Sequence, residues 1–216
     1  MPRPPRLLLS HSYYHIMTRG NNRHAVFENN DDYLYYLNLV RRFKKELPFD
    51  LYHYVLMPNH IHFLIQTKNA NNFAVFMKKL NLAYFHYYHQ HYGWVGHFWQ
   101  NRYKSQVVGK DSYFIQAGKY IELNPVRKGL VSSPADYRYS SYRHYAFGQK
   151  DDLITDDIFF DELGKTKGER QKNYREMIIG EELIESYSKP IWGNLRQRKN
   201  EQKKINYHYH TRPELK

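Results

Sequence analysis

The chain has 216 residues, a formal net charge of +12 and no cysteine. The lack of cysteine excludes disulfides, thiolate metal sites and a cysteine nucleophile. Because the sequence contains no run of about 18 apolar residues and no signal-peptide core, it predicts a cytoplasmic protein without a membrane span.

Aromatic residues make up 17% of the chain and include 22 tyrosines, while the mean hydropathy is −0.84. We therefore expect many rings at or near the surface. Basic charge attracts phosphates, and exposed rings stack on unpaired bases. Single-stranded nucleic acid is the first partner to consider.

The charge is unevenly distributed, with +11 over residues 1–149, −5 over residues 150–188 and +6 over residues 189–216. These ranges predict a main domain, an acidic and partly helical extension (the acidic extension, residues 150–188) and a basic tail. The tail either orders on nucleic acid or remains a solvated arm, and composition favours neither.

In chain order, the first elements are short and alternate. Residues 13–18 read as a strand, and residues 31–46 as an amphipathic helix that begins at Asn29 or Asn30 and stops before Pro48. Residues 51–57 and 60–67 read as two strands joined by a Pro58-Asn59 turn.

Two further helices follow. Asn71 or Asn72 can cap a helix that ends at Gly93, and residues 98–108 read as extended. Asp111 or Ser112 can cap the next helix, which we expect to stop near Asn124 because proline disfavours helical geometry in the residue before it. The order β-α-β-β-α-β-α predicts an α+β fold of split-βαβ kind, an antiparallel sheet with helices packed on one face.

Two histidines lie one residue apart within the second strand of the Pro58-Asn59 hairpin. Side chains alternate along a strand, so His60 and His62 share a face while Ile61 and Phe63 point to the other. Two imidazoles side by side are half of a metal site, although half-buried polar rings would give the same pattern.

A phenol and an amide share one face of the last predicted helix, because Tyr120 and Asn124 are four residues apart. Together with His60 and His62 they supply what metal-assisted phosphodiester cleavage needs: a hydroxyl nucleophile, two imidazole ligands and an oxygen ligand. The rival interpretation is an RRM-like, RNA-binding sheet without chemistry, whose strand aromatics stack bases.

Three segments resemble the single-tyrosine transposases of the HUH superfamily, and most of all the REP-associated tyrosine transposases. They are YHIMTRGN at residues 14–21, YVLMPNHIH at residues 54–62 and YIELNPVRKGLV at residues 120–131. The resemblance covers roughly residues 11–145 and implies an HUH endonuclease fold.

The resemblance also implies roles. His60, His62 and Asn124 would hold Mg²⁺ or Mn²⁺, and Tyr120 would attack a DNA phosphodiester to leave a 5′-phosphotyrosine and a free 3′-hydroxyl. The substrate would be palindromic hairpin DNA with a single-stranded guide sequence, which suggests association with the nucleoid. A domesticated relative that binds hairpins without moving its own gene is the alternative, and monomer and homodimer both remain open.

Other residues are candidates for DNA contacts or proton transfer. Neither Lys119 nor Glu122 is a convincing general base for Tyr120, since both point elsewhere on the helix. The candidate phosphate-binding rim consists of basic and amide side chains: Arg19, Asn21, Asn22, Arg23, Arg102, Lys104, Arg127 and Lys128.

Overall fold

The computed structural model describes residues 8–109 and 112–180. Its sheet has four antiparallel strands in the order β2-β3-β1-β4. The strands are β1 (Tyr13–Arg19), β2 (Asp50–Met57), β3 (His60–Gln66) and β4 (Lys104–Val108). The helices are α1 (Asn30–Glu46), α2 (Ala70–Tyr92), α3 (Ser112–Arg127), α4 (Tyr142–Phe147) and α5 (Lys167–Gly180). The predicted order of elements and the split-βαβ sheet are confirmed.

Helices cover both faces of this sheet, so the prediction that they pack on one face is wrong. Tyr14 and Ile16 of β1 face α1 and α2 across the main apolar core. On the other face lies α3, where the Phe114 ring packs edge-on against Tyr13 and Tyr52 at centroid distances of 5.4 and 5.3 Å. Alternation along the strands gives each face its own helix layer.

The tyrosines are more buried than the low mean hydropathy predicted. Twelve tyrosines of the described residues are buried. Their hydroxyls bond to main-chain carbonyls inside the protein: Tyr84 Oη donates to Val26 O at 2.5 Å, and Tyr145 Oη donates to Tyr52 O at 2.8 Å. A tyrosine can enter a core when its hydroxyl finds such a partner, which hydropathy does not register.

The predicted N-terminal cap is confirmed for α1 and wrong for α2. Asn29 caps α1 in a reciprocal capping box with Asp32. The cap of α2 is Asn69 rather than Asn71 or Asn72, because its side chain accepts from the Asn72 backbone N–H at 3.0 Å. Three asparagines in one short segment are equally good caps by type, so composition alone does not choose among them.

The α3 helix continues through Pro125 to Arg127, so the expected stop near Asn124 is wrong. Proline removes one helical hydrogen bond. The remaining turn is closed by Lys128 N–H donating to Asn124 O at 3.1 Å and Leu130 N–H donating to Pro125 O at 2.9 Å. Because Asn124 and Pro125 are both buried, tertiary packing offsets the local cost. Asn124 therefore remains helical and keeps the face of Tyr120.

The extended segment expected at residues 98–108 is regular only over its last part. β4 begins at Lys104, while Trp99 forms an isolated bridge with Gly20 after β1. Between them, Gln100 N–H donates to Arg19 O at 2.9 Å, at the end of β1.

The segment after α3 closes the outer edge of β2. Leu56 N–H donates to Tyr139 O at 2.9 Å, and Thr155 N–H donates to Leu51 O at 2.8 Å. An uncovered edge strand would offer its unpaired backbone groups to other chains. Residues 137–155 therefore belong to the same packed unit as the sheet.

A buried charged cluster joins the acidic extension to this unit. His53 of β2 lies between two carboxylates, with Nδ1 2.9 Å from Glu122 Oε1 and Nε2 2.7 Å from Asp157 Oδ2. The side chains of His53 and Glu122 are 2% and 0% exposed, respectively. Burial alone would lower the pKa of His53, but the hydrogen bonds to Asp157 and Glu122 outweigh it and raise the pKa to about 9. His53 is therefore an imidazolium at neutral pH.

This cluster predicts that the free energy of unfolding falls at alkaline pH. Folded His53 keeps its proton up to about pH 9, whereas the unfolded group has its usual pKa of 6.5. The stabilisation is fully present below pH 6.5, and roughly 3 kcal/mol is lost as the pH rises through 9. Denaturant unfolding at pH 6.5 and 9.5 measures the loss. Asp157→Asn should reduce the difference, and a free energy that is equal or higher at pH 9.5 in the wild type would contradict the assignment.

Parts of the predicted organisation lie outside the described residues. These are the cap residue Asp111, the end of the acidic extension at residues 181–188 and the basic tail. Within the described ranges, α5 and a short 3-10 helix, Phe160–Leu163, account for the helical part of the extension. No helix in the described part of the chain is long and apolar enough to span a membrane.

Candidate active site between β3 and α3

The paired histidines of β3 lie beneath α3. His60 and His62 are T-shaped to each other with ring centroids 4.9 Å apart. His62 is 2% exposed, and His60 sits at the rim where β3 begins. The predicted common face is therefore confirmed, and it is the face that α3 covers.

His60 is poised as a neutral imidazole. Its Nδ1 lies 2.6 Å from Asn59 Oδ1, an oxygen that can only accept, so the proton resides on Nδ1 and Nε2 keeps its lone pair. Burial, followed by the charges of Arg19 and Lys128, lowers its pKa to about 4, against a hydrogen bond with Asn124. The same hydrogen bond shows that Asn124 reaches the histidine pair.

A third histidine, His15 of β1, contacts the pair from the side. Its Nε2 lies 2.8 Å from Nδ1 of His62, and both rings are buried. Burial lowers the pKa of His15 to about 3 and the pKa of His62 well below its usual value. Since both rings are neutral at pH 7, a single N–H joins them.

Tyr120 lies over these rings. Its ring centroid is 5.7 Å from that of His62 and 5.8 Å from that of His15. The Arg127 guanidinium also lies over the Tyr120 ring, 5.4 Å from its centroid. The structure thus brings Tyr120, Asn124, His60 and His62 into one site.

Neither neighbour of Tyr120 that was considered as a base points into the site. Lys119 Nζ donates to Met177 O at 2.9 Å, and Glu122 bonds to His53. Both are fully buried. The helix therefore directs these two groups away from the histidine pair, as expected from their positions on α3.

The candidate DNA-contact residues divide into two groups. Arg19 and Lys128 are close enough to influence His60, and Arg127 contacts Tyr120. Lys104 is in register with Met17, which is itself in register with His62, so its side chain leaves the sheet on the site's face. Arg102 instead lines a cleft against α2.

The remaining rim candidates form a tight loop after β1. The 3-10 turn Asn21–Arg23 contains two residues with left-handed backbone, Asn22 at φ 49° and Arg23 at φ 61°. Both side chains are exposed. A non-glycine residue there costs about 1 kcal/mol, so the loop holds Arg23 in a conformation that its own backbone disfavours.

Replacing Arg23 by glycine should therefore stabilise the protein. We expect Arg23→Gly to raise the free energy of unfolding, measured by denaturant titration, by about 0.5–1 kcal/mol. Arg23→Lys, which keeps both the charge and the backbone strain, serves as the control. An unchanged or lower stability of Arg23→Gly would show that the backbone is not strained.

Two features of the site were not predicted. His15 lies inside the segment YHIMTRGN, but only the register of β1 against β3 brings it to His62. The stacking of Arg127 on Tyr120 likewise depends on α3 continuing past Pro125. A sequence pattern could have raised His15 as a candidate through its alternation with Met17 and Arg19, yet not its partner.

The residues present fit a divalent cation weakly. Among the described residues, no group of three or more His, Cys, Asp or Glu side chains is placed to hold a metal ion. The available donors are two neutral imidazoles and one amide, an uncharged set that suits Mn²⁺ at least as well as Mg²⁺. A phosphate oxygen of bound DNA would supply the missing negative charge.

The chain matches a known protein family. The family model "Transposase IS200 like" matches residues 9–124. That match spans more than half of the chain, which therefore belongs to the IS200-like transposase family. The prediction of a tyrosine transposase is confirmed, and it decides against an RNA-binding sheet. Consistent with this, α3 covers the face on which an open sheet would stack bases.

Two known proteins are similar to the chain. A Haemophilus influenzae protein named "Putative REP-associated tyrosine transposase" is 29% identical over 122 residues, covering 50% of this chain and 69% of that protein. A solved structure of a REP-associated tyrosine transposase bound to a REP hairpin superposes with a TM-score of 0.58 at 18% identity, covering 73% of this chain and 93% of that chain. The second likeness concerns the fold.

Proposed function

We propose that this transposase cleaves and rejoins single-stranded DNA beside palindromic, REP-like hairpins, through a tyrosine-linked intermediate that depends on a divalent metal. The observation that carries the proposal is the position of Tyr120, whose ring lies within 6 Å of His62 and His15, centroid to centroid. The solved relative bound to a REP hairpin suggests the class of substrate.

The proposed chemistry balances without an energy source. Tyr120 Oη attacks the scissile phosphorus, the bond between phosphorus and the 3′ oxygen breaks, and the phenolic proton is lost as the leaving oxygen gains one. The products are a 5′-phosphotyrosine and a free 3′-hydroxyl. One phosphodiester replaces another, so the reverse attack by a 3′-hydroxyl reseals DNA without ATP.

Residues around Tyr120 prepare it for attack. A tyrosine hydroxyl has a pKa near 10 and is a weak nucleophile while protonated. The Arg127 guanidinium over the ring stabilises developing negative charge on the phenol oxygen, and Arg19 with Lys128 holds the phosphate backbone near His60.

His60, His62 and Asn124 would hold the metal. When bound, a divalent cation polarises the scissile phosphate and stabilises the charge that develops on it. His62 presents Nε2 only if Nδ1 carries the proton, and His15 Nε2, 2.8 Å away, accepts that proton's hydrogen bond. In that arrangement His15 would stabilise the tautomer of His62 that can bind the metal.

Removing the acceptor at position 15 should weaken metal binding. In His15→Leu, the affinity for Mn²⁺ in the presence of hairpin DNA should fall about 10-fold to 100-fold. His15→Gln, whose amide oxygen can replace Nε2, should retain most of the affinity. Isothermal titration with Mn²⁺ measures both, and equal affinities of wild type and His15→Leu would remove this role.

Cleavage products test the proposed function directly. Hairpin DNA with a labelled single-stranded flank is incubated with the protein and Mn²⁺, and the ends are mapped. We expect a 3′-hydroxyl that a polymerase extends and a 5′ end that remains attached to protein. A free 5′-phosphate, or equal cleavage of a hairpin made of RNA, would argue for a different reaction.

A further inference from the structure

The α3 helix is held from two sides. At 3.6 residues per turn, Gly118 and Glu122 lie one turn apart on one side, and Tyr120 and Asn124 lie one turn apart, about 160° away, on the other. The first pair contacts His53, and the second contacts the histidine site. His53 therefore packs on the side of α3 opposite Tyr120.

The contact between α3 and His53 is unusually close. A Cβ at Gly118 would lie 2.9 Å from Nε2 and 3.0 Å from Cδ2 of His53, so only glycine admits the ring at this distance. Glu122 Oε1 also accepts from Ser141 Oγ at 2.6 Å, while Glu122 Oε2 is buried with no hydrogen-bond partner among the described residues. The hydrogen bonds of Glu122 therefore all converge on Oε1, from His53, Ser141 and, at 3.5 Å, Tyr174 Oη.

The other hydrogen bond of His53 belongs to the acidic extension. Asp157 Oδ2 accepts a hydrogen bond from His53 Nε2 at 2.7 Å. The loop that carries Asp157 is held by Phe159 N–H, which donates to Asp157 Oδ1 at 2.8 Å. From α5, Met177 O accepts from Lys119 Nζ. These groups surround a cavity of about 220 Å³ that His53, Gly118, Lys119 and Tyr174 also line. Residues of the acidic extension therefore contact α3 at two points. Asp157 acts through His53 on Glu122, and Met177 O binds Lys119 directly.

We propose that residues 150–180 position Tyr120 for attack, through His53 held between Asp157 of this segment and Glu122 of α3. The inference rests on the proposed function of Tyr120. His53 and Asp157 are positioning residues, since neither touches the histidine site. When the attacking oxygen is displaced by about 1 Å, the reaction can slow about 100-fold. We therefore expect the contacts of His53 with α3 to affect the rate of cleavage more than the affinity for DNA.

The charge of His53 gives a readout that a purely structural role would not. Glu122, Asp157 and Tyr145 of α4 contact His53 directly. The other titratable groups around it line the same cavity: Lys119 of α3, Glu162 of the 3-10 helix, and Tyr174 of α5, whose hydroxyl also donates to Glu122. Removing the charge of Asp157 makes the imidazolium easier to deprotonate. Because deprotonated His53 should position Tyr120 less well, we expect the cleavage rate to fall through about pH 9 in the wild type and at lower pH in Asp157→Asn. The free energy of unfolding depends on the same proton, so thermal unfolding is measured at each pH, and only a fall in rate while the protein stays fully folded reports positioning.

The experiment compares Asp157→Asn with Asp156→Asn in the full chain. Asp156 pairs with His144 at 2.9 Å on the surface, so it offers the same chemical change one residue away without contact to α3. Single-turnover rates of adduct formation are measured with hairpin DNA and Mn²⁺, DNA affinity is measured in EDTA, and thermal unfolding checks folding. We expect Asp157→Asn to slow the reaction about 10-fold to 100-fold with affinity within about 2-fold, and Asp156→Asn to match the wild type.

Gly118→Ala provides the second test. It removes no polar group of the cluster, but its methyl group displaces the His53 ring. The same slowing is expected, with the same unchanged affinity. A folded Asp157→Asn or Gly118→Ala that reacts at the wild-type rate overturns the positioning role. An adduct that persists in Tyr120→Phe overturns the proposed function instead, so the two failures are distinguishable.

Discussion

Tyr120→Phe should abolish the covalent complex between the protein and hairpin DNA. The substitution removes only the hydroxyl, and the ring can keep its packing against His62 and Arg127. Loss of a nucleophile costs on the order of 10⁴-fold to 10⁶-fold in rate, which leaves no detectable adduct. The adduct is measured as a labelled band that migrates with the protein after denaturation. DNA affinity and the melting temperature should remain near those of the wild type.

Tyr113→Phe is the matched control. Tyr113 lies on nearly the same face of α3, two turns and about 10 Å before Tyr120, and its side chain is 50% exposed. It should form the adduct at the wild-type rate. If Tyr113→Phe loses the adduct and Tyr120→Phe keeps it, the nucleophile has been misassigned.

The second large effect is expected from His60→Ala. His60 presents its Nε2 lone pair at the rim of the site, and its removal takes one of three donors from an already uncharged set. We expect adduct formation with Mn²⁺ to fall about 1000-fold, corresponding to the several kcal/mol that metal ions contribute to charge stabilisation. The affinity of His60→Ala for Mn²⁺ in the presence of DNA, measured by titration calorimetry, should fall together with the rate of adduct formation.

His86→Ala controls for the loss of a histidine, since His86 lies on the exposed side of α2. In the wild type, we also expect Mn²⁺ to bind more tightly with hairpin DNA than without it, because the phosphate completes the ligand set. Equal affinities with and without DNA would contradict that reasoning, and an active His60→Ala would remove His60 from the ligand set.

The sequence predicted the layout of the site but not its surroundings. Alternation along β3 placed His60 and His62 on one face, and helical spacing placed Tyr120 beside Asn124. Both patterns are local, within a few residues. Their convergence depended on the family resemblance, because periodicity does not say which strand a helix covers.

The features that the sequence failed to predict all depend on tertiary contacts. Pro125 indicated a helix end, but burial of Asn124 and Pro125 carried the helix onward. His15 and His53 looked like ordinary strand residues, and their partners are distant in the chain: His62 for one, Glu122 and Asp157 for the other. Registers and long-range ion pairs of this kind leave no periodic signal.

The acidic extension illustrates the same limit. Its composition predicted only net charge and partial helicity, whereas one of its carboxylates, Asp157, bonds to a buried histidine of the sheet. Most acidic side chains of such a segment would be solvated. Which one enters the core follows from the fold alone.

Tyr120 should become covalently linked to the 5′ phosphate of the cleaved strand. The direct test is mass spectrometry of the digested adduct, formed by the wild-type protein with hairpin DNA and Mn²⁺. We expect a nucleotide attached to the peptide that contains Tyr120, at that residue. Attachment at Tyr113 or at any other residue, or cleavage without a modified peptide, would contradict it.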